Sequence, residues 1–188
     1  MRVLDVGCGP GIYVDALRQA GIDAIGIDLD PHCPHDICDI FSSEFREKHM
    51  RTSGVRASKP YDLTLCLEVA EHLPESSACG LVARLVGTSD TILFSAAIPG
   101  QGGHGHINCQ PREYWLEKFA LHNYVYDDKA TDALLEFMRS GYHMGWFTNN
   151  AMVLRPYGAV YFDAIIKEET EQAVRLAQYL STTRGMTK

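Results

Sequence analysis

Short apolar segments alternate with longer amphipathic segments over most of the chain. The short segments are rich in Val, Ile and Leu and are bounded by Gly, Pro or Asp, as buried parallel strands are. The longer segments repeat their apolar residues at helical spacing. This alternation predicts an α/β fold, doubly wound, in which helices cover both faces of a mostly parallel sheet.

The same pattern predicts seven strands in one domain of residues 1–155. The strands are predicted at 2–6, 23–27, 37–40, 61–67, 91–97, 124–126 and 149–154, and the helices at 11–20, 43–50, 74–86, 111–121 and 131–140. Residues 156–188 are predicted to form a C-terminal extension, with a polar helix at 167–181 packed on the domain.

A glycine-rich loop stands between the first strand and the first helix. Gly7, Gly9 and Gly11 occupy alternate positions, so the backbone can turn tightly and a ligand can lie against it. A loop at this place in an α/β fold typically binds a nucleotide-like ligand. Ile12 stands where the dinucleotide fingerprint requires its third glycine, which argues against a nicotinamide cofactor.

Charge and composition narrow the classes of partner. The formal net charge is -7, so the chain has no broad positive field, and we expect no nucleic-acid partner. A basic cluster is interpreted as a solvated surface loop; it comprises Arg46, Lys48, Arg51, Arg56 and Lys59. No apolar run approaches the roughly 18 residues of a membrane span, so no membrane association is predicted.

Six cysteines and no signal peptide predict a cytoplasmic protein with reduced thiols. The first strand begins at residue 2, so we expect either a trimmed chain or a fold without the usual N-terminal cover. The segment from His32 to Cys38 contains two histidines and two cysteines at irregular spacing. It is interpreted as a surface loop with chance ligands, and no metal site is assigned from the sequence.

Four segments in order carry a resemblance to a known family. They are Val3–Gly11, Asp28 at the end of the second strand, Asp39-Ile40, and residues 61–74 with the run Leu67-Glu68-Val69-Ala70-Glu71-His72. Together they resemble the class I S-adenosylmethionine-dependent methyltransferases over about residues 1–155. The resemblance implies a Rossmann-like sheet of order 3-2-1-4-5-7-6 whose last strand is antiparallel, and S-adenosyl-L-methionine as the cofactor.

The resemblance also implies which residues hold that cofactor. The Asp28 carboxylate has two acceptor oxygens for the two ribose hydroxyls, although a turn residue is the alternative. Asp39 would accept from the adenine amino group, unless it is only a solvated loop residue, and Leu29 and Ile40 would sandwich the ring. The methionine end is assigned to Asp5, Gly7, Cys8, Gly9, Gly11, Leu67, Glu68 and Val69.

Two segments are candidates for the acceptor side. Some quinone-pathway O-methyltransferases that the 68–72 segment resembles hold a divalent cation with a Glu-x-x-Glu-His group. The interpretation favoured here is that Glu71 caps a helix and His72 packs against it, with His72 kept as a catalytic candidate. In the later glycine-rich loop, His104 or His106 is a candidate general base. The alternative is that these histidines only hydrogen-bond the loop backbone.

The sequence therefore predicts methyl transfer to a small-molecule acceptor, with oxygen preferred and nitrogen or carbon left open. Two other classes remain as alternatives. One is a nicotinamide-dependent oxidoreductase, and the other is a non-catalytic S-adenosylmethionine-binding module that needs a partner or a missing segment. Neither the acceptor nor the oligomeric state is predicted.

Overall fold

The computed structural model describes residues 1–50, 59–141 and 145–160, and within them it forms an α/β Rossmann-like fold, which confirms the predicted class. The strands of its sheet are β1 Arg2–Val6, β2 Asp23–Asp28, β3 Asp36–Ile37, β4 Leu63–Leu67, β5 Ile92–Ser95, β6 Tyr124–Tyr126 and β7 Met152–Pro156. The helices are α1 Ile12–Gln19, α2 Ser43–His49, α3 Ala78–Thr88, α4 Arg112–Ala120, α5 Asp128–Gly141 and α6 Gly145–Asn150.

Among the described residues the sheet has the order β3-β2-β1-β4-β5-β7-β6. Strand β1 is central, and its Leu4 is paired in parallel with Ile25 of β2 and Thr64 of β4. Strand β7 runs antiparallel to both β5 and β6. The carboxyl ends of β1, β2, β4 and β5 therefore meet at one edge, which is where open α/β sheets bind ligands.

The core lies on both faces of the sheet, because successive side chains of a strand point to opposite faces. Leu4 belongs to a large cluster that includes Phe45, Phe94 and Trp115. Its neighbour Val3 belongs to a second cluster with Val14 of α1. These contacts fix α1 and the glycine loop that precedes it against the sheet.

Several elements differ from the sequence prediction: the seventh strand, predicted at 149–154, lies at Met152–Pro156, and the helix predicted at 131–140 lies at Asp128–Gly141. Strand β3 ends at Ile37 rather than continuing to residue 40, because the chain turns at Asp39, whose carboxylate accepts from the Phe41 N–H. A 3₁₀ turn, Glu75–Ser77, comes before α3, which begins at Ala78 rather than at Pro74. Helix α6 was missed, since it is too short to repeat an apolar pattern.

Contacts divide the chain into two units, Met1–Pro156 and Tyr157–Lys188. The first unit contains the whole sheet. The polar helix predicted at 167–181 lies outside the described residues, and so does most of the basic cluster's loop. In the part of the chain that the structure describes, no helix combines the length and the apolar character that crossing a membrane requires.

Candidate active site

The glycine loop folds over the carboxyl end of β2. The N–H groups of Gly7 and Cys8 both donate to the Ile27 carbonyl, at 2.9 and 3.1 Å. The Gly9 N–H donates to Asp28 Oδ2 at 2.7 Å. These bonds hold the loop and the Asp28 carboxylate together as one rigid edge.

Glycine is required at position 7 because the Val69 side chain approaches the backbone closely there. Its φ is 76°, and a Cβ there would lie 2.3 Å from Cγ2 of Val69, which follows β4. No larger residue fits at this distance without moving the segment after β4. The loop after β1 and the segment after β4 are therefore packed directly against each other.

A cavity of about 290 Å³ lies beside this junction. Its walls are mostly apolar, and Asp28, Glu68 and His72 are its polar members. The complete lining is Val6, Gly7, Ile27, Asp28, Leu29, Cys38, Ile40, Phe41, Glu68, Val69, His72 and Leu73. We call this space the first cavity.

The first cavity brings together about half of the residues predicted to bind the cofactor: Gly7, Asp28, Leu29, Ile40, Glu68 and Val69. The others lie outside its lining: Asp5, Cys8, Gly9, Gly11, Asp39 and Leu67. Sequence reasoning missed Val6, Ile27 and Phe41. Val6 and Ile27 could have been predicted, since they are apolar residues at the carboxyl ends of β1 and β2.

Both predicted carboxylates on this edge are held by backbone N–H groups. Besides the bond from Gly9, Asp28 accepts from the Asp30 N–H through Oδ1 at 2.8 Å. Asp39 accepts from the Phe41 N–H through Oδ1 at 2.8 Å. A carboxylate oxygen has two lone pairs, so each Asp28 oxygen keeps acceptor capacity for a ligand.

Asp5 is a buried acid within β1, 2% exposed, and its Oδ2 has no hydrogen-bond partner among the described residues. Burial, and secondarily the charge of Asp28, raise the pKa of Asp5 to about 7. Burial also raises the pKa of the nearby Tyr13 phenol, with contributions from Asp5 and Glu68. An unpartnered acid of this kind is suited to a cationic ligand group.

A second cavity of about 320 Å³ is lined by Glu68, Gln101, Gly102 and His106. Glu68 therefore lines both cavities. Its φ of 55° is in the left-handed region, which is strained for a glutamate and turns the chain sharply after β4.

Two amides fix the Glu68 carboxylate. Gln101 Nε2 donates to Oε2 at 3.2 Å, and Asn150 Nδ2 donates to Oε1 at 3.4 Å. Asn150 Nδ2 also donates to Gln101 Oε1 at 2.8 Å. The sequence analysis identified neither amide. No local pattern pointed to Asn150, because it reaches the site only as the last residue of α6.

Glu71, His72 and His106 converge beside Glu68. Their ligand-type atoms all lie within 4.8 Å of one another. Glu71 does not cap a helix, as had been expected; it lies in the 3₁₀ turn Ala70–His72 and is fully buried. His104 is exposed and lines neither cavity.

The surroundings of Glu71 raise the pKa of its carboxyl group. Burial is the largest cause, and together with the charge of Glu68 and a side-chain hydrogen bond between the two residues, burial raises the pKa of Glu71 to about 7, against an opposing contribution from the backbone at Glu71 and Ala97. Behind Glu71, its carbonyl accepts from the N–H groups of Ile107 and Asn108 at 2.9 and 3.0 Å. The histidine loop is thereby tied to the turn after β4.

The histidine- and cysteine-containing segment after β2 lies at the surface as expected, since Pro31, His32, Pro34 and Asp36 are exposed, but Cys33 is an exception. Cys33 is buried, and its Sγ lies 3.6 Å from Cys8 Sγ. Both are free thiols. Within the described ranges, the cluster of Glu71, His72 and His106 is the group found suitable for a metal ion, and no set from 32–38 is.

Comparison with known proteins identifies relatives of this architecture. Residues 1–91 match a family model described as "Methyltransferase domain". Two similar curated proteins are ubiquinone biosynthesis O-methyltransferases. The one from Methylococcus capsulatus is 34% identical over half of this chain and 42% of its own length. The one from Saccharophagus degradans is 27% identical over 88% of this chain and 69% of its own length. A third, from Bordetella avium, is 35% identical over 50% of this chain and 42% of its own length. The chain thus spans less than half of two of these relatives.

Solved structures share the fold. A SAM-dependent methyltransferase from Archaeoglobus fulgidus superposes with a TM-score of 0.52 at 15% identity, over 82% of this chain and 85% of the other. The kinase-methyltransferase WbdD superposes over 83% of this chain and 36% of its own, at 17% identity and a TM-score of 0.54. At these identities the likeness concerns the fold alone.

Proposed function

We propose, from the match of residues 1–91 to a methyltransferase domain model, that this chain transfers a methyl group from S-adenosylmethionine to an oxygen atom of a small-molecule acceptor. The observation that carries the proposal is the pair of cavities that share Glu68. One cavity has the features of a cofactor site, and the other has polar groups suited to an acceptor. The names of the O-methyltransferase relatives favour oxygen as the acceptor atom.

The cofactor would bind in the first cavity. Both Asp28 oxygens, already oriented by Gly9 and Asp30, would accept from the ribose hydroxyls. The adenine ring would lie between Leu29 and Ile40, with Asp39 Oδ2 accepting from its amino group. The methionine end would reach toward the glycine loop, where the ammonium would offset the buried charge of Asp5.

The acceptor would bind in the second cavity, with its hydroxyl near the cluster of Glu71, His72 and His106. The transfer is an in-line displacement: the acceptor oxygen forms a bond to the methyl carbon, and the carbon–sulfur bond breaks. Its electrons remain on sulfur, which leaves S-adenosylhomocysteine. The protein supplies proximity, orientation and a route for the hydroxyl proton, and we assign that route to the cluster around His106.

Titration calorimetry and product analysis test this proposal. We expect S-adenosylhomocysteine to bind to the full chain and NAD not to bind, which separates the methyltransferase from the oxidoreductase. With a panel of phenols, catechols and aliphatic alcohols, labelled methyl should appear on oxygen. His106→Ala should lower kcat by about 100-fold, a typical loss for a removed proton-transfer group, with binding of S-adenosylhomocysteine retained.

Two comparisons make this test specific. His104→Ala should lower kcat far less than His106→Ala, since His104 lines neither cavity. His122→Ala, an exposed histidine in the turn after α4, is the matched control. Binding of NAD alone would refute the methyltransferase assignment, while cofactor binding with no methylation across the panel would favour the non-catalytic module.

A further inference from the structure

Two cysteines face each other behind the glycine loop. Cys8 Sγ lies 3.6 Å from Cys33 Sγ, although the two residues are 25 positions apart in the chain. Both are buried, and both are free thiols. The sulfurs of a disulfide lie about 2.0 Å apart, so thiols that packing already holds in contact need only a small approach to form one. We call Cys8 and Cys33 the thiol pair.

The thiol pair joins two segments that border the first cavity. Cys8 belongs to the glycine loop, and Cys33 belongs to the turn that follows β2. The Cys33 N–H donates to the Asp30 carbonyl at 2.9 Å, and the Asp30 N–H donates to Asp28 Oδ1 at 2.8 Å. Asp28 and Gly7 line the first cavity. A bond between the two sulfurs would therefore tie together both sides of the edge where the cofactor is proposed to bind.

Packing holds the Cys8 side of the pair in place. A Cβ at Gly26 of β2 would lie 2.7 Å from Cys8 Sγ and 2.8 Å from Val14 Cγ2, so the sulfur and the valine fill the space above this glycine. Cys33, by contrast, has exposed neighbours on both sides in the chain. The approach of the two sulfurs must therefore come mainly from the turn that carries Cys33.

The two thiols have different roles. The His35 N–H donates to Cys33 Sγ at 3.4 Å, so the Cys33 sulfur is an acceptor. Burial, and then the hydrogen bond with Cys33, raise the pKa of the Cys8 thiol far above its ordinary value. A protonated thiol is a poor nucleophile, so Cys33 is the sulfur that reacts first with an oxidant, and Cys8 is the one that reacts second.

We propose that hydrogen peroxide converts Cys8 and Cys33 to a reversible disulfide, and that the oxidised chain binds S-adenosylmethionine more weakly than the reduced chain. The effect on the cofactor rests on the proposed function, whereas formation of the bond does not. The Cys33 sulfur first attacks the peroxide, the O–O bond breaks, and a sulfenic acid and one water form. The Cys8 sulfur then attacks the Cys33 sulfur, the S–O bond breaks, and a second water leaves. The two thiols lose two electrons and two protons, and the peroxide is reduced to the two waters.

The bond would weaken cofactor binding through Asp28. Its carboxylate is oriented by the Gly9 N–H at 2.7 Å and by the Asp30 N–H at 2.8 Å. When Cys33 moves toward Cys8, Asp30 moves with it, because the two residues are joined by a backbone hydrogen bond. A displaced carboxylate no longer accepts from both ribose hydroxyls. We expect a loss of about tenfold or more in affinity, which corresponds to one hydrogen bond to a charged group.

Peptide mapping of the full chain tests the bond itself. After treatment with hydrogen peroxide and alkylation of the remaining thiols, mass spectrometry should show the Cys8 peptide joined to the Cys33 peptide. Fragment ions should exclude Cys38, which lies close to Cys33 in sequence, as the partner. Dithiothreitol should return both residues to thiols. In Cys33→Ser, the joined peptide should be absent.

Calorimetry with S-adenosylhomocysteine tests the consequence. The oxidised wild type should bind it at least tenfold more weakly than the reduced wild type, and dithiothreitol should restore the affinity. Cys33→Ser should bind it as the reduced wild type does, both before and after peroxide, since residue 33 is not in the lining of the first cavity. Cys79→Ser, which removes an exposed thiol of α3, is the matched control and should keep the sensitivity of the wild type. If Cys33→Ser fails to fold, by circular dichroism, Cys33→Ala takes its place.

A peroxide-treated wild type without the joined peptide would overturn the proposal, and so would a joined chain with undiminished affinity for S-adenosylhomocysteine. Loss of binding on peroxide treatment of Cys33→Ser would do so as well, because the sensitivity would then belong to another residue. Failure of the methyltransferase proposal appears separately, as an absence of S-adenosylhomocysteine binding by the reduced chain. That result would remove the effect on the cofactor, and the peptide map would still decide whether the bond forms.

Discussion

At the scale of single residues, the site depends on acidic groups held where water would normally solvate them. Asp5 and Glu71 are both buried, Asp5 Oδ2 has no hydrogen-bond partner among the described residues, and Glu68 has a strained backbone. Such groups cost stability in the empty protein. A cationic ligand group bound beside such a residue would offset part of this cost.

Asp5 should make stability depend on pH. Its pKa is about 7 in the folded chain against an ordinary 3.8, so the folded state retains the proton that the unfolded state releases. The free energy of unfolding should therefore fall as the pH rises from about 4 to 7, by up to about 4 kcal/mol from this group. Urea unfolding of Asp5→Asn between these pH values should show a correspondingly smaller fall in the free energy of unfolding.

The exposed Asp132→Asn, in α5, is the matched control and should leave the pH profile unchanged. Parallel profiles for Asp5→Asn and the wild type would contradict this prediction. Because the proposed cofactor brings an ammonium to Asp5, saturating S-adenosylhomocysteine should also flatten the wild-type profile.

At the scale of elements, antiparallel β7 is joined to helix α5 by a side chain. Strand β6 pairs with residues 154–156 of β7, so the Val153 N–H lies beyond that ladder. It donates instead to Thr131 Oγ1 of α5 at 2.9 Å, and Thr131 is fully buried. The N–H of Asp127, just before α5, donates to the Val153 carbonyl at 2.9 Å.

Thr131→Val should therefore lower the free energy of unfolding by about 1 to 3 kcal/mol, because the shape is kept but a buried N–H loses its acceptor. Thr131→Ser, which keeps the hydroxyl, should recover most of this loss. Denaturant titration of the three proteins measures both differences. Equal stability of the Val and Ser variants would show that the hydrogen bond contributes little.

At the scale of the whole molecule, the sheet order brings distant segments to one edge. The segments after β1, β2, β4 and β5 all follow parallel strands, so they share one end of the sheet. The first cavity is built from the ends of β1, β2 and β4 together with residues 38–41 after β3, and the second from the segments after β4 and β5. Everything that forms either cavity lies within Met1–Pro156.

A chain that ends at Pro156 should therefore fold by itself. We expect cooperative thermal unfolding, with a midpoint within about 8 °C of the full chain, which corresponds to roughly 2 to 3 kcal/mol at this size. S-adenosylhomocysteine should still bind in calorimetry. A truncated chain without a cooperative transition would contradict a self-sufficient core in Met1–Pro156.

Local patterns were sufficient for some elements and not for others. Strands β1 and β6 have the predicted bounds, since apolar runs between Gly, Asp or Asn residues are local signals. Strand β3 and helix α6 were misjudged because each is short and is decided by its neighbours. Of the residues that line the first cavity, Asp28 was predicted from its place at the end of β2 and Glu68 from the family resemblance, whereas Gln101 and Asn150, which bind Glu68, were not predicted.

The sequence by itself determined the alternating α/β class, the glycine loop and the acid after β2, because these depend on residues close together in the chain. Only the tertiary structure decided that Glu68 is held by two amides, that His106 rather than His104 faces Glu71, and that Glu71 is buried beside Glu68. These facts depend on the packing of three segments far apart in sequence. Burial and pairing are properties of that packing, so no local pattern encodes them.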